Sequence, residues 1–416
     1  MGVLAAAAPH DFDVVLAVLG GLLVVGALIA GVARRSFVSL TAVFVLAGLV
    51  LGDGGLEVVH FDAQSGFVTG LATVALVAIL FRDGLEVEQE MLQRAWRLPF
   101  RKLILAMPIT CGLVACATKL LTDLDWTESF LVGALLSPTD PVLSSSVVTN
   151  PRVPRVIRHS LNLESGLNDG LALPAVLALA SSLDPQEAGF VWWKFVLQDL
   201  SVGLATGLLV GYLASVLMPR SRALRTEISQ HQKALFALGV AFASYGIAVL
   251  PPHGNGLIAA FVCAIVLGIR RPDIRAAFET RSEEVIELVK LGIFVVFGSL
   301  LTLDGLFGDG GAGLAIAVFT LLAARPLAVF VSLAGTKTDG ATRGFMGWFG
   351  PKGVATMTFA LLVLSQGIAH GGQIFNIASV AVLISILAHG LSDHAGANWI
   401  AARAERDTRH RAEVAA

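Results

Sequence analysis

Residues 130–148 read FLVGALLSPTDPVLSSSVV, an apolar stretch that is interrupted at its centre by Thr139, Asp140 and Pro141. The next apolar stretch, LNLESGLNDGLALPAVLALA at residues 161–180, carries a second polar group, made of Glu164, Ser165, Asn168 and Asp169. Carboxylates at bilayer depth are costly, and where they occur they mark a functional site. Three carboxylates on two adjacent apolar stretches therefore predict a site inside a membrane protein.

The composition agrees with a membrane protein. Hydrophobic residues make up 55% of the 416 residues and charged residues only 14%, whereas a soluble chain carries about 25% charged residues. Apolar runs of about 20 residues, enough to cross a bilayer, recur from end to end and leave no room for a separate soluble domain. They predict an all-α polytopic membrane protein with about thirteen transmembrane helices. The expected span centres are Val24, Phe44, Val74, Leu113, Leu136, Leu173, Gly207, Val240, Val262, Val295, Val318, Phe359 and Leu383.

The first apolar run lacks a preceding basic region, so we expect a first span rather than a cleaved signal peptide.

Lys and Arg fall in every second connection between the runs. These basic connections contain Arg34 and Arg35; Arg94, Arg97, Arg101 and Lys102; Arg152, Arg155 and Arg158; Arg220, Arg222, Arg225 and Lys233; Arg270, Arg271, Arg275 and Arg281; Lys337 and Arg343; and the tail residues Arg403, Arg406, Arg409 and Arg411. By the positive-inside rule they are cytoplasmic. An odd number of spans then places the N-terminus outside and the C-terminus in the cytoplasm, in the cell (inner) membrane.

Prolines predict that two spans are broken. Pro138 and Pro141 bracket Thr139 and Asp140, and Pro351 lies within GPKG at residues 350–353. Such breaks are tolerated only where the freed backbone groups face protein or a water-filled cavity, and transporters use them to build ion sites near the bilayer midplane. If the seventh span is a linker, the fifth and twelfth spans are equivalent in two inverted six-helix repeats. The fourth and eleventh spans then correspond as well, with Pro108 and Pro326 at comparable depth.

The polar residues of the sixth span suit exchange of small cations. In a helix, Glu164 and Asn168 share one stripe and Ser165 and Asp169 the neighbouring one, so all four can face one cavity. Their oxygen atoms suit a hard monovalent cation rather than a thiophilic metal. A carboxylate that binds either a cation or a proton couples the two because they compete for one group.

Three basic residues remain at membrane depth, and Lys290 is expected to snorkel to the cytoplasmic interface. The other two, Arg325 and Lys352, lie in the second half of the chain, while the carboxylates lie in the first half. Opposite charges buried in one membrane protein are expected to pair, and we expect Arg325 to pair with Glu164. In FRDGLEVEQE at residues 81–90, Asp83 and Glu86 are expected to begin an interfacial helix.

No resident cofactor is expected. Cys111, Cys116 and Cys263 lie inside expected spans and are interpreted as packing residues, and the sequence has neither metal-ligand spacing nor a GxxxxGKS nucleotide loop. The expected partners are membrane lipids, with no nucleotide and no nucleic acid, because the basic tail is explained as a topology signal.

The chain resembles a sodium/proton antiporter of the NhaP type, within the monovalent cation:proton antiporter superfamily that includes the eukaryotic sodium/proton exchangers. The resemblance rests on Thr139-Asp140-Pro141, on Glu164-Ser165 and Asn168-Asp169, and on Arg325 of the ARPL motif. It implies an inverted-repeat homodimer that works by an elevator-like movement. Its parts would be dimerisation or scaffold helices in residues 14–95 and 192–303, a mobile ion-binding core in 101–181 and 312–394, and a cytoplasmic tail in 395–416.

The resemblance also implies the site. Na+ would bind at Thr139, Glu164, Ser165 and Asp169, with Asp140 supporting the site and Glu164 held by Asn168 and Arg325. An asparagine before the key aspartate goes with electroneutral one-for-one exchange in this family. The twelfth-span break departs from the pattern, since relatives often have Arg-Gly where this chain has Lys352-Gly353, and lysine lacks the planar fork of arginine.

Other functions stay open at this stage. The same ligands would serve a potassium/proton antiporter, because they do not determine ion size. Asp140 and Asp169 are a pair of membrane aspartates, as in intramembrane aspartyl proteases, but neither a Tyr-Asp nor a Gly-x-Gly-Asp context surrounds them. A passive channel fits two broken helices less well than alternating access does. The favoured interpretation is therefore a transporter and not an enzyme.

Overall fold

The computed structural model describes residues 17, 20–21, 23–25 and 28 and the ranges 40–87, 97–140, 145–184, 191–219 and 228–415, except for the side chains of residues 97, 145 and 407–415. Pro141 and the loop arginines 34, 35, 94, 220, 222 and 225 lie outside these residues. In chain order the helices are α1 (Leu40–Leu51), α2 (Gly66–Glu86), α3 (Arg97–Arg101, Lys102–Ala106 and Met107–Leu121), α4 (Trp126–Leu135), α5 (Ser145–Thr149), α6 (Arg155–Leu183), α7 (Trp192–Lys194, Phe195–Leu200 and Ser201–Leu217), α8 (Gln230–Val249), α9 (Gly256–Arg270), α10 (Pro272–Arg281), α11 (Glu283–Ser299), α12 (Leu303–Phe307), α13 (Ala312–Phe319, Thr320–Ala324 and Arg325–Ser332), α14 (Gly340–Trp348), α15 (Val354–Ser365) and α16 (Gly371–Ala415).

The chain is an all-helical, multi-pass membrane protein. Within the described ranges, α2, α3, α6, α7, α8, α13 and α16 are each long and apolar enough to cross a bilayer, and α1, α9 and α15 are shorter apolar helices. Every expected span centre from Phe44 to Leu383 lies in a helix or, for Leu136, directly after one. Val24 is also helical, although most residues around it lie outside the described part. The number thirteen itself stays a prediction.

Both predicted helix breaks are confirmed. α4 begins at a capping box. The backbone N–H of Glu128 donates to the Asp125 carboxylate at 2.7 Å, and the backbone N–H of Asp125 donates to the Glu128 carboxylate at 2.8 Å. It ends at Leu135, and residues 136–140 continue without helical structure. In the second break, α14 and α15 are separated by residues 349–353. The two non-helical segments meet where the backbone N–H of Asp140 donates to Pro351 O at 2.9 Å.

Two of the long helices contain a π-helical turn that ends two residues before a proline. Lys102–Ala106 precedes Pro108 in α3, and Thr320–Ala324 precedes Pro326 in α13. Proline cannot donate to the carbonyl four residues back, and its ring collides with that carbonyl. The wider π turn moves the carbonyl aside without ending the helix. This shared feature fits the predicted equivalence of the fourth and eleventh spans, and the inverted relation between the halves stays a prediction.

Glycines allow close packing among the helices expected to form the scaffold. On α7, a Cβ atom at Gly203, Gly207 or Gly211 would lie only 2.7, 2.6 or 2.7 Å from a backbone oxygen of α9 or of the residue that caps its start. Such stripes of small residues let membrane helices approach closely. Cys263 is one of the fully buried α9 residues at this contact, whereas Cys116 on α3 is exposed.

α2 positions the site because it lies between the two groups of helices. It packs against α9 and α11 of the expected scaffold and against α6 and α15 of the expected core. On the side of the basic connections, Lys233 at the start of α8 pairs with Asp273 of α10 at 3.1 Å. Hydrogen bonds from Arg271 and Lys233 lower the pKa of Asp273 to about 2.

The last helix extends well past the membrane-spanning part. α16 runs without a break through most of the segment expected to be a tail, and Ala397 and Ile400 are buried there. Arg403 pairs with Asp339 at 2.8 Å, and Glu405 pairs with Arg152 at 3.1 Å. The beginning of the tail is therefore packed against the core helices.

Candidate functional site

The charged residues of the two breaks neutralise each other's helix ends. The Asp140 carboxylate accepts a hydrogen bond from the Val354 N–H at 3.1 Å, at the start of α15. The Lys352 ammonium donates to Ser137 O at 3.3 Å and to Pro138 O at 3.0 Å, just beyond the end of α4. A helix carries partial positive charge at its N-terminus and partial negative charge at its C-terminus. Each break therefore supplies the counter-charge for a half-helix of the other break.

Glycine is required beside this contact. A Cβ atom at Gly353 would lie 2.4 Å from the nearer Asp140 carboxylate oxygen, so a larger residue would displace the carboxylate from α15. Gly353 cannot cap the helix itself, and Asp140 does so from the other chain segment. Lys352 is fully buried. Although lysine lacks the planar fork of arginine, its ammonium group is satisfied by the two carbonyl oxygens beyond the end of α4.

α6 holds the first break through Asn168. Its side-chain nitrogen donates to Thr139 O at 2.9 Å and to Thr139 Oγ1 at 2.8 Å. The sequence resemblance implied instead that Asn168 holds Glu164, and in this respect it was wrong, because the amide nitrogen is directed toward the break. The Oδ1 atoms of Asn168 and Asp169 are buried, and neither has a hydrogen-bond partner in the described part of the chain.

A cavity of about 350 Å³ adjoins the crossing, the place where residues 136–140 of the first break meet residues 349–353 of the second. From the core side it is lined by Thr139, Asp140, Ser165 and Asp169. Its volume corresponds to roughly ten water molecules. Asp169 lines this polar space, and its Oδ1 atom is buried without a partner among the described residues. An oxygen acceptor that is buried without a partner is costly unless a ligand or water satisfies it.

The scaffold wall of the cavity is strongly acidic. It includes Arg82, Asp83, Glu86, Glu279 and Glu283. Glu279 and Glu283 are exposed, so the cavity opens to the surface there. This opening lies on the side of the basic connections. Carboxylates around an opening raise the local concentration of cations.

Asp83 corrects a prediction. It was expected to begin an interfacial helix, but α2 continues to Glu86, and Asp83 is only 4% exposed. Its carboxylate accepts hydrogen bonds from Arg82 Nη2 at 2.6 Å and Nε at 2.9 Å. The uninterrupted apolar run before it, ending in AILF at residues 78–81, was the available signal that the helix continues.

Glu164 lies in a buried group of three charges rather than in the cavity lining. Arg325 Nη2 donates to Glu164 Oε1 at 3.1 Å, which confirms the predicted ion pair. Lys102 Nζ donates to Glu164 Oε2 at 2.5 Å and to Ser160 O at 3.3 Å. All three charged side chains are at least nine-tenths buried. Both carboxylate oxygens of Glu164 are thus occupied by protein cations.

Lys102 is a buried charged residue beside the site that sequence reasoning missed. It was placed in a basic connection together with Arg101, but α3 begins at Arg97, and Lys102 is 1% exposed. The available signal was the length of the apolar segment, since Leu98–Leu121 spans 24 residues. A span that begins there includes Lys102 in its first turns.

The structure thus divides the predicted site residues into three groups. Thr139, Asp140, Ser165 and Asp169 line one cavity. Asn168 and Lys352 donate hydrogen bonds to backbone oxygens of the first break. Glu164 and Arg325 form a separate buried ion pair. In the described part of the chain there is no group of three or more His, Cys, Asp or Glu side chains that could hold a metal ion.

Comparison with known proteins places this geometry in context. The family model described as "Sodium/hydrogen exchanger, transmembrane" matches residues 21–395. The K(+)/H(+) antiporter NhaP2 of Shewanella sp. (strain MR-4) is 26% identical over 384 residues, which cover 90% of this chain and 65% of that protein. The chain therefore spans just under two thirds of the length of that relative.

A second relative is similar along most of both sequences. The Na(+)/H(+) antiporter 1 of Methanocaldococcus jannaschii is 25% identical over 362 residues, which cover 83% of this chain and 82% of that protein. The solved structure of the sodium proton antiporter MjNhaP1 from the same organism at pH 8 matches with a TM-score of 0.79 and 19% identity, covering 94% of this chain and 99% of that one. The two chains share a fold.

Proposed function

Because the chain belongs to the sodium/hydrogen exchanger family, we propose that it is a secondary active antiporter that exchanges a monovalent cation for a proton. The observation that carries this proposal is that Asp169, whose Oδ1 atom is buried without a partner among the described residues, lines a cavity together with Thr139 and Ser165. Such oxygen ligands suit a hard cation. The same carboxylate can take a proton instead.

Exchange follows from competition at Asp169. A cation that enters the cavity binds the ionised carboxylate, helped by the hydroxyl groups of Ser165 and Thr139. A proton that binds the same carboxylate displaces the cation. In either loaded form the Asp169 carboxylate has a partner, whereas an empty, ionised carboxylate without a partner is costly to enclose away from water. Only the loaded forms then cross, and this couples the two fluxes.

Glu164 would act through its charge rather than as a direct ligand in this state. The expected Na+ site included Glu164, but both of its oxygens are paired with Lys102 and Arg325. We therefore assign cation binding to Asp169, Ser165 and Thr139, with Asp140 and Asn168 holding the break in position.

The cavity also supports an orientation. Its lining includes Thr149 and Glu279, which border the connections that contain Arg152 and Arg281, and the positive-inside rule places these connections in the cytoplasm. The proposed arrangement is an inward-open transporter in the cell (inner) membrane, with its N-terminus outside and its C-terminus in the cytoplasm. We expect a homodimer formed by the scaffold helices, past which α3–α6 and α13–α16 move as an elevator.

The transported cation separates two variants of this function. The two relatives are named for K+ and for Na+, and the ligand set does not select between the ions. The test is proton flux in proteoliposomes after addition of Na+, Li+ or K+ in turn. We expect proton movement with Na+ or Li+, while movement with K+ alone would favour the potassium variant. No proton movement with any of the three would contradict antiport.

An enzymatic alternative is not favoured by the geometry. The Asp140 carboxylate is engaged by the Val354 N–H at the start of α15. An aspartyl protease needs both of its carboxyl groups at the same substrate atom, whereas here Asp140 serves the helix end.

Exchange is expected to be insensitive to voltage. Asn168 is uncharged and Glu164 is paired, so one cation in and one proton out leave the core with the same charge in both loaded forms. One uncompensated charge would couple to the potential by about 2.3 kcal/mol per 100 mV, roughly a fiftyfold effect. The measurement is the exchange rate under an imposed diffusion potential, set with K+ and valinomycin if K+ is not transported and with a thiocyanate gradient if it is. A rate that follows the sign of the potential would contradict one-for-one exchange and make Asp140 the first residue to examine.

A further inference from the structure

Lys102 has no role in the exchange proposed above, yet it is buried beside the site. We propose that Lys102 sets the affinity of the exchange site: its positive charge, held at Glu164, weakens cation binding at Asp169 enough for the cation to be released. This inference rests on the proposed antiport function.

The position of Lys102 is determined by two helices. Its Nζ contacts Oε2 of Glu164 and the backbone oxygen of Ser160, both on α6, and its side chain is completely buried. Lys102 itself is the first residue of the π-helical turn of α3. Arg325, directly after the π-helical turn of α13, approaches the other oxygen of the same carboxylate. The two wide turns thus place two cations on one anion.

One cation would be enough for Glu164. Arg325 donates only its Nη2 atom to Glu164, and its Nε atom has no hydrogen-bond partner in the described part of the chain. A guanidinium can bind a carboxylate with two parallel hydrogen bonds. Without Lys102, Glu164 would therefore still have a buried partner. The second cation is therefore not needed to pair Glu164, and its presence beside the site requires another explanation.

The charges at the crossing show what Lys102 changes. The buried charged residues of the two breaks and of α6 with its ion-pair partners are the cations Lys102, Arg325 and Lys352 and the anions Glu164, Asp140 and Asp169. Asp83 is also buried at the cavity, but it is paired with Arg82, and this pair adds no net charge. When Asp169 is ionised and empty, these six charges cancel. A bound cation then leaves one net positive charge in the group. Without Lys102 the empty group would be negative, and binding a cation would neutralise it.

The effect on affinity can be estimated from distance. Glu164 and Asp169 are five residues apart on α6, a rise of about 7.5 Å, and the Lys102 ammonium also contacts Ser160, one turn farther away. A unit charge on the order of 10 Å from the bound cation, at an effective dielectric constant of about 20, changes affinity roughly tenfold. Weaker binding favours release on the side where the cation is dilute.

The test is the substitution Lys102→Met, which keeps the apolar stem and removes the charge. The cation is whichever of Na+, Li+ or K+ drives the largest proton flux in the wild-type protein. We expect its apparent KM, measured at the alkaline end of the activity range, to fall about tenfold, and maximal turnover to fall because release slows. Lys102→Arg keeps the charge and should retain the wild-type KM.

A matched control separates affinity from folding. Lys233 is also buried and paired with a carboxylate, but it lies on α8, away from the cavity. Lys233→Met should therefore leave the KM unchanged even if it lowers the yield of folded protein. If Lys102→Met cannot be purified in folded form, Lys102→Gln carries the test, because its amide can still donate a hydrogen bond to Glu164.

An unchanged or higher KM in a folded, charge-removing variant of Lys102 would overturn the inference, since a purely structural role predicts lower yield or turnover without tighter binding. Loss of the wild-type KM in Lys102→Arg with no change in Lys102→Gln would do the same. The proposed function fails in a different way, namely if the wild-type protein itself moves no protons with any of the three cations.

Discussion

Asp169→Asn is expected to abolish cation/proton exchange while the protein stays folded in the membrane. The amide keeps the size of the side chain, but it cannot exchange a proton for a cation, and it brings no charge to bind one. Asp169 is the carboxylate whose buried oxygen has no hydrogen-bond partner among the described residues, so its replacement removes no contact that the fold requires. The measurement is proton flux in proteoliposomes at equal amounts of reconstituted protein.

A matched acid-to-amide change controls for reconstitution. Asp199 on α7 belongs to the expected scaffold and does not line the cavity. Asp199→Asn should retain exchange close to that of the wild type. Full exchange by a folded Asp169→Asn protein would instead show that another residue carries the proton.

Glu164→Gln is expected to be the most destabilising neutral substitution in the buried charge group. It leaves both Lys102 and Arg325 without their carboxylate, and removal of one partner from a buried ion pair costs about 3–5 kcal/mol. Lys102→Met and Arg325→Gln should each cost less, because Glu164 then keeps one cation. The loss of stability can be followed as thermal unfolding of the purified protein in detergent.

The double variants show whether these residues interact. Adding Lys102→Met to Glu164→Gln should restore part of the stability, because one of the two unpaired cations is then removed. Adding Arg325→Gln should also restore part of it. Losses that simply add in both double variants would mean that the contacts do not contribute to stability, since non-additivity is the sign of direct coupling.

Much of the fold could be predicted from local features of the sequence. Apolar runs and basic connections located the helices, because hydropathy and charge act residue by residue along the chain. Pro138 and Pro351 predicted the two breaks, because the lack of a backbone donor is a local property. The position of Asp169 on the sixth span made it a candidate before any contact was known.

The partners of the site residues could not be predicted in the same way. Arg101 and Lys102 are neighbours in sequence and equally basic, yet Lys102 is buried against Glu164, 62 positions away, whereas Arg101 stays partly exposed and donates to Ala334 O. The same holds for Asn168, whose amide binds Thr139 and not Glu164. Which face of a helix is buried depends on the neighbouring helices, and no local pattern records that choice.

The sequence by itself determined a membrane protein with two broken helices and an intramembrane carboxylate site, because these depend on hydropathy, on proline chemistry and on the cost of burying charge. The tertiary structure alone decided which carboxylate stays available to a ligand. Glu164 and Asp169 lie five residues apart on one helix, but α3 and α13 bring cations to Glu164, whereas a cavity faces Asp169. That difference arises from helix packing between distant segments, where the free energy of a buried charge is decided by what surrounds it.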